Sequence, residues 1–498
     1  MKTSQKALLT AISKSVKHVS VFLLSILLAR YLTLDEYGTY IQVMLIANTA
    51  IYFFLLGIPS SVYFFLIRAH NKKQFLLRTI AIIHLLALLA AFIGYQGSDQ
   101  LASLLNNERL ADFAFIYVLF ILFQIPIKLF EPIMISSDRV KEFIWINLSF
   151  NALFFFAIAI PLVLYEDISL IFTWMAVFFA AQYLVIYVSI ARSYFALVEA
   201  FEQEGKPEHV TLLSQLKYSI PIGTSGAISE VAHIVDRIII SGYFNPAQLA
   251  IFNRGAMEIP MLNVVINSLG NILMPKFVQA YADNRPDQII GYWHSSVIII
   301  AFAVYPTMAY LIATADLLIP LLFSEKFLPS VIIFQVYSLV FLTRITTYDA
   351  IIRAVGKTVS LLRVTILSIV LNVALTVLLI EMIGMVGAVV ATVIVAFIIR
   401  AELLRIIKNL LGIRFVDVFP WIDLLKILAF AILATIPVLL YRHLSPVTGY
   451  VVNFILCGLL YAVTFLLLNR LHSLLGSKEI SALRGVLPPR LVALIAPR

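Results

Sequence analysis

The chain has 498 residues, of which 62% are hydrophobic and 13% are charged, and its formal net charge is +9. Its mean hydropathy of +0.99 is too high for soluble cores to bury all the apolar surface, so a soluble protein is excluded. The only cysteine, Cys457, lies in an apolar run, which excludes a disulfide and a thiolate metal site.

Apolar runs of about 20 residues predict an all-α polytopic membrane protein with about fourteen transmembrane helices. The predicted spans begin near residues 10, 39, 77, 112, 143, 168, 218, 248, 289, 328, 359, 384, 423 and 449. The first apolar run follows several lysines, but no small-residue cleavage site comes after it. We therefore interpret it as helix one and not as a signal peptide.

A polar stretch at residues 196–217 predicts a cytoplasmic linker between two lobes. We expect six helices in each lobe, at residues 1–195 and 218–412. Residues 413–498 then add two helices and a cytoplasmic tail.

Glycine and proline interrupt two of the predicted helices. The second helix carries Gly57 and Pro59, and the eighth carries Pro260. Proline removes a main-chain hydrogen bond and bends a membrane helix, so we expect hinges at these three positions. When the two halves are aligned, the kink at Gly57 falls beside Gly270, which suggests parallel repeats about an axis along the membrane normal.

Charged residues inside two consecutive predicted helices are the strongest functional signal. An ionised side chain at mid-membrane costs roughly 2.5–3.5 kcal/mol on insertion scales, so it persists beside a partner or a water-filled cavity. Spacings of three, four and seven residues predict one polar face on each helix, which we interpret as the lining of a pore. Glu230, His233 and Arg237 share one face of the seventh helix, which also carries Asp236, and Arg254 and Glu258 share a face of the eighth.

Other chemistries find little support in the sequence. Gly356, Lys357 and Thr358 imitate the end of a phosphate-binding loop, but Ile351 occupies the place of its first glycine. ATP binding is therefore not expected. No clustered set of metal ligands is visible, so neither a metal nor a cofactor is expected.

Short patterns at the end of helix one, in helix eight and in helices eleven and twelve are specific enough to suggest a family. They are Ala29, Arg30, Tyr31, Leu32, Glu36, Tyr37 and Gly38; Arg254, Met257, Glu258, Ile259, Pro260, Leu273, Met274 and Pro275; and Asn372, Leu375, Leu379, Ile380, Gly384, Gly387, Ala388, Ala391 and Thr392. Together they resemble bacterial polysaccharide flippases of the O-antigen type, within the multidrug, oligosaccharidyl-lipid and polysaccharide exporter superfamily.

The resemblance implies two pseudo-symmetric six-helix lobes around a central cavity, with two extra carboxy-terminal helices. It also implies a cargo, an oligosaccharide on a polyprenyl diphosphate, moved by alternating access from the inner to the outer leaflet of the bacterial cytoplasmic membrane. Membrane lipids, a polysaccharide polymerase and glycosyltransferases are the implied partners. The chain is expected to be a transporter and not an enzyme.

A diphosphate needs cations, and arginine offers a planar fork of donors that stays protonated. For these cations the competing interpretation is snorkelling or an internal ion pair. Likewise Glu230, His233, Asp236 and Glu258 either couple transport to protons or only balance charge. The basic residues expected to bind the cargo are Arg30, Arg237, Arg254 and Arg344. Lys17 is added to them because its position is similar to that of a basic residue of the peptidoglycan-precursor flippases.

Two other functions stay open at this point. A drug or cation antiporter of the same superfamily would have a smaller cavity dominated by acidic groups, whereas here the predicted lining is rich in arginine. A membrane-embedded glycosyltransferase or ligase would need an acidic catalytic motif in an external loop, and the predicted external loops are short.

The distribution of lysine and arginine predicts the topology. Only Arg109, Lys326 and Arg442 fall in loops opposite the amino terminus, and positively charged loops stay in the cytoplasm. The positive net charge therefore reflects topology and attraction to anionic headgroups, and nucleic-acid binding is not expected.

We expect both termini to be cytoplasmic. A reporter fused after Gly97 should be external, and one fused after Arg498 should be cytoplasmic. Alkaline phosphatase and fluorescent-protein fusions measure this directly. Finding both positions on one side of the membrane would contradict the fourteen-helix topology.

Overall fold

The computed structural model describes residues 3–200, 210–444 and 449–484. All regular secondary structure within these ranges is helical, and no strand occurs in them. Contacts divide the chain into two compact units, Met1–Ala250 and Ile251–Arg498. The predicted all-α class is confirmed.

Eleven α-helices lie within the described part of the first unit. They are α1 (Thr3–Tyr31), α2 (Leu34–Phe54), α3 (Ile58–Phe65), α4 (Lys72–Gln96), α5 (Ser98–Leu104), α6 (Arg109–Asp112), α7 (Ala114–Ile127), α8 (Phe130–Ser136), α9 (Val140–Tyr165), α10 (Ile168–Ala200) and α11 (Leu212–Tyr243).

The division between the units falls within α12 (Pro246–Gly255). The second unit also has short 3-10 helices at Glu325–Phe327 and Leu339–Leu342. Its α-helices are α13 (Pro260–Ala282), α14 (Pro286–Ala313), α15 (Ala315–Phe323), α16 (Ser330–Ser338), α17 (Tyr348–Ala354), α18 (Thr358–Ile383), α19 (Met385–Leu411), α20 (Phe415–Val418), α21 (Trp421–Leu433), α22 (Ile436–Leu444), α23 (Tyr450–His472) and α24 (Ser477–Arg484).

The helices match the predicted membrane spans. Nine spans in the described part of the chain are long and apolar enough to cross a membrane, and the bent pair α2–α3 adds a tenth. The other predicted spans fall on α1, α11, the pair α12–α13 and the segment from α16 to α17, which carry charged residues or breaks. The chain is a multi-pass membrane protein.

Short non-helical stretches interrupt the second, fourth, eighth and tenth predicted spans. In the first unit they separate α2 from α3 at residues 55–57 and α7 from α8 at residues 128–129. In the second unit they precede α13 at residues 256–259 and α17 at residues 343–347. Irregular backbone at membrane depth is tolerated where it is buried in protein or lines a water-filled cavity. These breaks are therefore candidate positions for the functional site.

The break between α2 and α3 is made by glycine. Gly57 has a φ of 69°, in the left-handed region that favours glycine, and the two helices are bent by 41°. Pro59 lies in the first turn of α3, where its missing N–H costs no helical hydrogen bond. The predicted kink is therefore present, but its expected origin in Pro59 is wrong.

The break in the eighth span also differs from the sequence expectation. Because α12 ends before Glu258, that carboxylate lies in the non-helical stretch, and its predicted sharing of a helix face with Arg254 is wrong. The aligned kink does not fall at Gly270 either. Gly270 lies inside α13, where an added Cβ atom would lie 2.5 Å from the Thr347 side chain. Pro260 begins α13, directly after the break.

The predicted linker at residues 196–217 lies partly outside the described residues. On either side of the gap, α10 extends to Ala200 and α11 begins at Leu212. Contacts place α11 in the first unit, with α2 and α3. The proposed lobes at residues 1–195 and 218–412 stay a prediction.

The two extra helical spans pack within the second unit. The Tyr310 hydroxyl of α14 donates to the Phe454 carbonyl of α23 at 2.6 Å. Trp293 of α14 donates through its indole N–H to the Val418 carbonyl at 3.1 Å, just before α21. Arg442, at the end of α22, forms an ion pair with Asp316 of α15. The carboxy-terminal spans are therefore joined to α14 and α15 by polar contacts.

A close backbone contact joins α11 to the broken second span. A Cβ atom on Gly57 would lie 2.2 Å from the Ser219 carbonyl oxygen, and one on Gly223 would lie 2.2 Å from the Leu56 carbonyl carbon. No Cβ atom fits at such distances. The two segments therefore meet without an intervening side chain, as small residues allow between membrane helices.

We predict that Gly223→Ala destabilises the protein by about 1–3 kcal/mol, because the new methyl group must push the backbone of residues 56 and 57 away. The matched control is Gly226→Ala on the same helix, where an added Cβ atom meets nothing within 4 Å. That control should be neutral or slightly stabilising, because alanine favours a helix over glycine by about 1 kcal/mol. Thermal unfolding in detergent measures both. Equal melting temperatures would contradict the close contact.

Candidate functional site

The predicted charged residues of the first unit lie on α1 and α11. Those with exposed side chains are Lys17, Arg30, His233 and Arg237, and those with half-buried side chains are Glu230 and Asp236. The Glu230 carboxylate is close enough to Tyr52 of α2 for an electrostatic interaction. The acidic part of α11 therefore lies toward the broken second span.

A second group of charges surrounds the break between α7 and α8. Lys128 lies in this break, and its ammonium group interacts with the charges of Lys17 on α1 and Glu131 on α8. Tyr63 of α3 also lies within electrostatic reach of Glu131. The structure thus brings the predicted Lys17 to two residues absent from the predicted site. The available signal was the spacing of Lys128 and Glu131, three residues apart in an apolar run.

Buried hydrogen bonds hold α11 to α2 at one end of the pair. The Gln42 amide nitrogen donates to the Ser241 hydroxyl and to the Leu105 carbonyl, both at 2.7 Å. The Asn107 amide donates to the Gln42 amide oxygen at 2.6 Å and to the Thr39 hydroxyl at 3.0 Å. Buried polar groups of this kind hold helices in one register when all of them are satisfied.

A matching set of hydrogen bonds joins α11, α3 and α4. The Gln215 amide nitrogen donates to the hydroxyls of Ser61 and Thr79, both at 3.0 Å. The Arg78 guanidinium donates to the Val210 carbonyl at 2.9 Å. Together with the Gly57–Gly223 contact, these networks fix the position of the charged face of α11 within the first unit.

The predicted charges of the second unit meet at the interrupted spans. Arg344 and Glu258 each lie in a non-helical stretch and form an ion pair of 2.7 Å. Their side chains are 22% and 44% exposed, so the pair is only partly shielded from solvent. The Arg254 guanidinium, in the last turn of α12, lies over the Phe323 ring at 5.1 Å. The structure therefore brings Arg344 to Glu258. Arg254 and Glu258 are separated by the end of α12.

Two tyrosines stabilise the irregular backbone around Arg344. The Tyr348 hydroxyl donates to the Thr343 carbonyl at 2.7 Å, and the Tyr305 hydroxyl donates to the Leu342 carbonyl at 3.2 Å. A carbonyl left unpaired in hydrocarbon would cost several kcal/mol. These hydroxyls replace the helical hydrogen bonds that the interruption removes.

Arg400 of α19 belongs to the same group and was not predicted. Its guanidinium carbon lies 5.0 Å from the centre of the Tyr348 ring. Its charge also interacts with those of Arg344 and Asp349. The tenth and twelfth spans therefore bring two arginines together inside the second unit.

The chemistry available at both groups is charge recognition. Among the described residues, no three histidine, cysteine, aspartate or glutamate side chains are placed to hold a metal ion. Lysine and arginine side chains beside interrupted membrane helices suit anionic ligands.

The fold defines a class of membrane proteins. It is similar to a solved structure of the lipid II flippase MurJ in an inward closed conformation, with a TM-score of 0.69, 16% identity and coverage of 94% of this chain and 99% of that one. It is also similar to an inward-facing multidrug resistance MATE family transporter of the MOP superfamily, with a TM-score of 0.61, 10% identity and coverage of 80% and 94%. At such identities these comparisons establish the shared fold.

The sequence places the chain within this class. A family model described as polysaccharide biosynthesis protein matches residues 27–332, and the chain belongs to this family. No curated protein sequence matches the chain. The expected resemblance is confirmed for the polysaccharide biosynthesis family and for the fold.

We predict that Tyr348→Phe destabilises the protein by about 1–3 kcal/mol, because it leaves the Thr343 carbonyl unpaired while keeping the ring beneath Arg400. Tyr292→Phe is the control, since its exposed ring contacts Lys276 at 5.2 Å and this contact does not need the hydroxyl. Thermal unfolding of the purified variants measures the difference. A Tyr348 variant as stable as the control would show that the hydroxyl does not support the interrupted span.

Proposed function

We propose that the protein is a flippase that moves a polyprenyl-diphosphate-linked oligosaccharide from the inner to the outer leaflet of the bacterial cytoplasmic membrane. The observation that carries this proposal is membership of the polysaccharide biosynthesis family in a chain built almost entirely of membrane helices. Such a chain can serve polysaccharide synthesis by moving a membrane-bound precursor. The fold it shares with a protein named lipid II flippase supports the same function.

The cargo explains why cations lie beside interrupted spans. A diphosphate cannot cross hydrocarbon without charge compensation, and arginine provides both charge and paired donors. We assign this role to Arg254 and Arg344 in the second unit. In the first unit we assign it to Lys17, Arg30 and Arg237.

Transport by alternating access requires backbone that changes conformation at a few positions. We propose Gly57 and the stretch before Pro260 as these hinges, because each lies at an interruption of a membrane span. Pro59 contributes by starting α3. The proposed orientation has both termini in the cytoplasm.

The acidic groups have two proposed roles. Glu258 balances charge, as its ion pair with Arg344 supports. Glu230, His233 and Asp236 couple transport to protons or balance Arg237. The proposal assigns no enzymatic activity to the chain. A polysaccharide polymerase and glycosyltransferases would use or supply the cargo.

A drug or cation antiporter is the second candidate function, because the fold is shared with a MATE family transporter. The two candidates differ in the charge of the cargo. An exporter of cationic drugs needs carboxylates in its site, whereas the second unit carries Arg344 and Arg400 close to each other and Arg254 at the end of α12.

The test uses purified protein in vesicles that contain a fluorescent polyprenyl-diphosphate oligosaccharide. A membrane-impermeant reagent that destroys the fluorophore measures how much of the lipid faces outward. A flippase makes the whole pool accessible, whereas protein-free vesicles leave about half protected. Protection equal to that in protein-free vesicles, together with efflux of ethidium from protein-loaded vesicles, would favour the antiporter.

In that assay we predict that Arg254→Ala lowers the flipping rate by about 10- to 100-fold, since it removes a charge-assisted contact to the diphosphate. Arg254→Lys should recover part of the rate, because lysine keeps the charge but loses the fork. Arg285→Ala, at an exposed position between α13 and α14, is the control. An unchanged flipping rate in the Arg254→Ala variant would show that Arg254 does not bind the diphosphate.

A further inference from the structure

Arg400 is a half-buried cation of the second unit. It lies within α19, which is long and apolar enough to span a membrane. The Nε atom of Arg400 is buried and has no hydrogen-bond partner among the described residues. Its contact with Tyr348 is through the ring face, at 5.0 Å, and a ring face occupies none of the N–H donors of the guanidinium.

The charges around Arg400 do not balance. Asp349 attracts it but is already bound to Arg353 at 2.8 Å, and Glu258 is bound to Arg344 at 2.7 Å. Among the described residues, the three guanidinium groups of Arg344, Arg353 and Arg400 therefore share the two carboxylates of Glu258 and Asp349. Because a guanidinium does not deprotonate in proteins, the surplus positive charge cannot be removed by loss of a proton.

Arg344 and Arg400 are also close enough to repel each other. Like charges held together in a membrane span are unfavourable unless an anion lies between or beside them. Arg344 has one resident carboxylate, and Arg400 has none of its own. The pair has the charge and the donors for one oxyanion with two negative charges.

The surrounding structure holds the two arginines in place. Tyr348 carries the ring beneath Arg400 and also donates its hydroxyl to the Thr343 carbonyl, next to Arg344. One tyrosine therefore sets the positions of both cations. A site held by such a shared support is preorganised for its ligand.

We propose that Arg400 and Arg344 form an oxyanion site for a phosphate group, and that Glu258 is the internal anion which this phosphate displaces from Arg344. The site extends the proposed flippase function by adding Arg400 as a second cation for the cargo diphosphate. Displacement couples binding to a structural change. A phosphate on Arg344 releases Glu258 and with it the contact between the two interrupted spans of the unit.

The first test measures binding of inorganic pyrophosphate to the purified full chain by isothermal titration calorimetry. Arg400→Gln should weaken binding by about tenfold or more, and Arg400→Lys should weaken it less. Arg405→Gln is the matched control on the same helix, since Arg405 is 71% exposed and pairs with Glu402. Equal affinities for the Arg400→Gln and Arg405→Gln variants would overturn the proposal.

A second variant distinguishes loss of the binding site from misfolding. Glu258→Gln removes the internal competitor for Arg344 and should tighten pyrophosphate binding by about threefold or more. A damaged protein does not gain affinity, so an increase supports displacement. Unchanged or weaker binding in this variant, in a protein that elutes as a single species, would overturn the role of Glu258.

Phosphate in a membrane comes from the cargo or from bulk lipid. Repeating the titration in nanodiscs of phosphatidylethanolamine, with and without phosphatidylglycerol, separates these sources. If phosphatidylglycerol abolishes pyrophosphate binding, the site binds lipid headgroups. If pyrophosphate binding persists, the site binds the diphosphate of the cargo. Binding is measured without transport. A chain that binds pyrophosphate through Arg400 but moves no lipid-linked oligosaccharide would therefore overturn the proposed function alone.

Discussion

Interrupting a helix inside a membrane releases backbone groups that hydrocarbon cannot satisfy, and much of this structure can be understood as the response to that constraint. At residues 343–347 the response is two tyrosine hydroxyls, from Tyr305 and Tyr348, directed at carbonyls next to the interruption. At residues 55–57 it is Gly57, which turns the chain in a left-handed conformation against the backbone of α11. Lys128 in the first unit and the pair of Arg344 and Glu258 in the second lie at such interruptions.

The two units meet this constraint with different side chains. The first unit places Lys17, Lys128 and Glu131 around the break between α7 and α8. The second unit uses Arg344 and Arg400, which stay charged. A pair of guanidinium groups offers paired donors to an oxyanion, whereas a lysine ammonium group acts as a point charge.

The helical class and the spans could be predicted from the sequence because apolar runs of about 20 residues have one structural solution in a bilayer. The predicted pairing of residues was less complete. Arg400 was missed because it lies near the predicted inner end of a span, where an arginine is expected to reach the headgroups, whereas α19 continues to Leu411. The link between Arg344 and Glu258 joins spans far apart in sequence, so no periodicity shows it. The kink could not be assigned to Pro59 or to Gly57 from the sequence, because the effect of a proline depends on where its helix begins.

The contact between Gly57 and Gly223 has a mechanical consequence. Most helix pairs interlock through side chains, so turning one helix against the other requires many rotamers to change together. At Gly57 and Gly223 the segments touch through backbone alone, so no side chains interlock at that point. Resistance to twisting comes from the contacts on either side of it, which are the hydrogen bonds of Gln42 and Gln215 and the stacking of Tyr218 on Phe64. The glycine contact is therefore the point about which the two segments can turn, and the contacts on either side of it limit how far they turn.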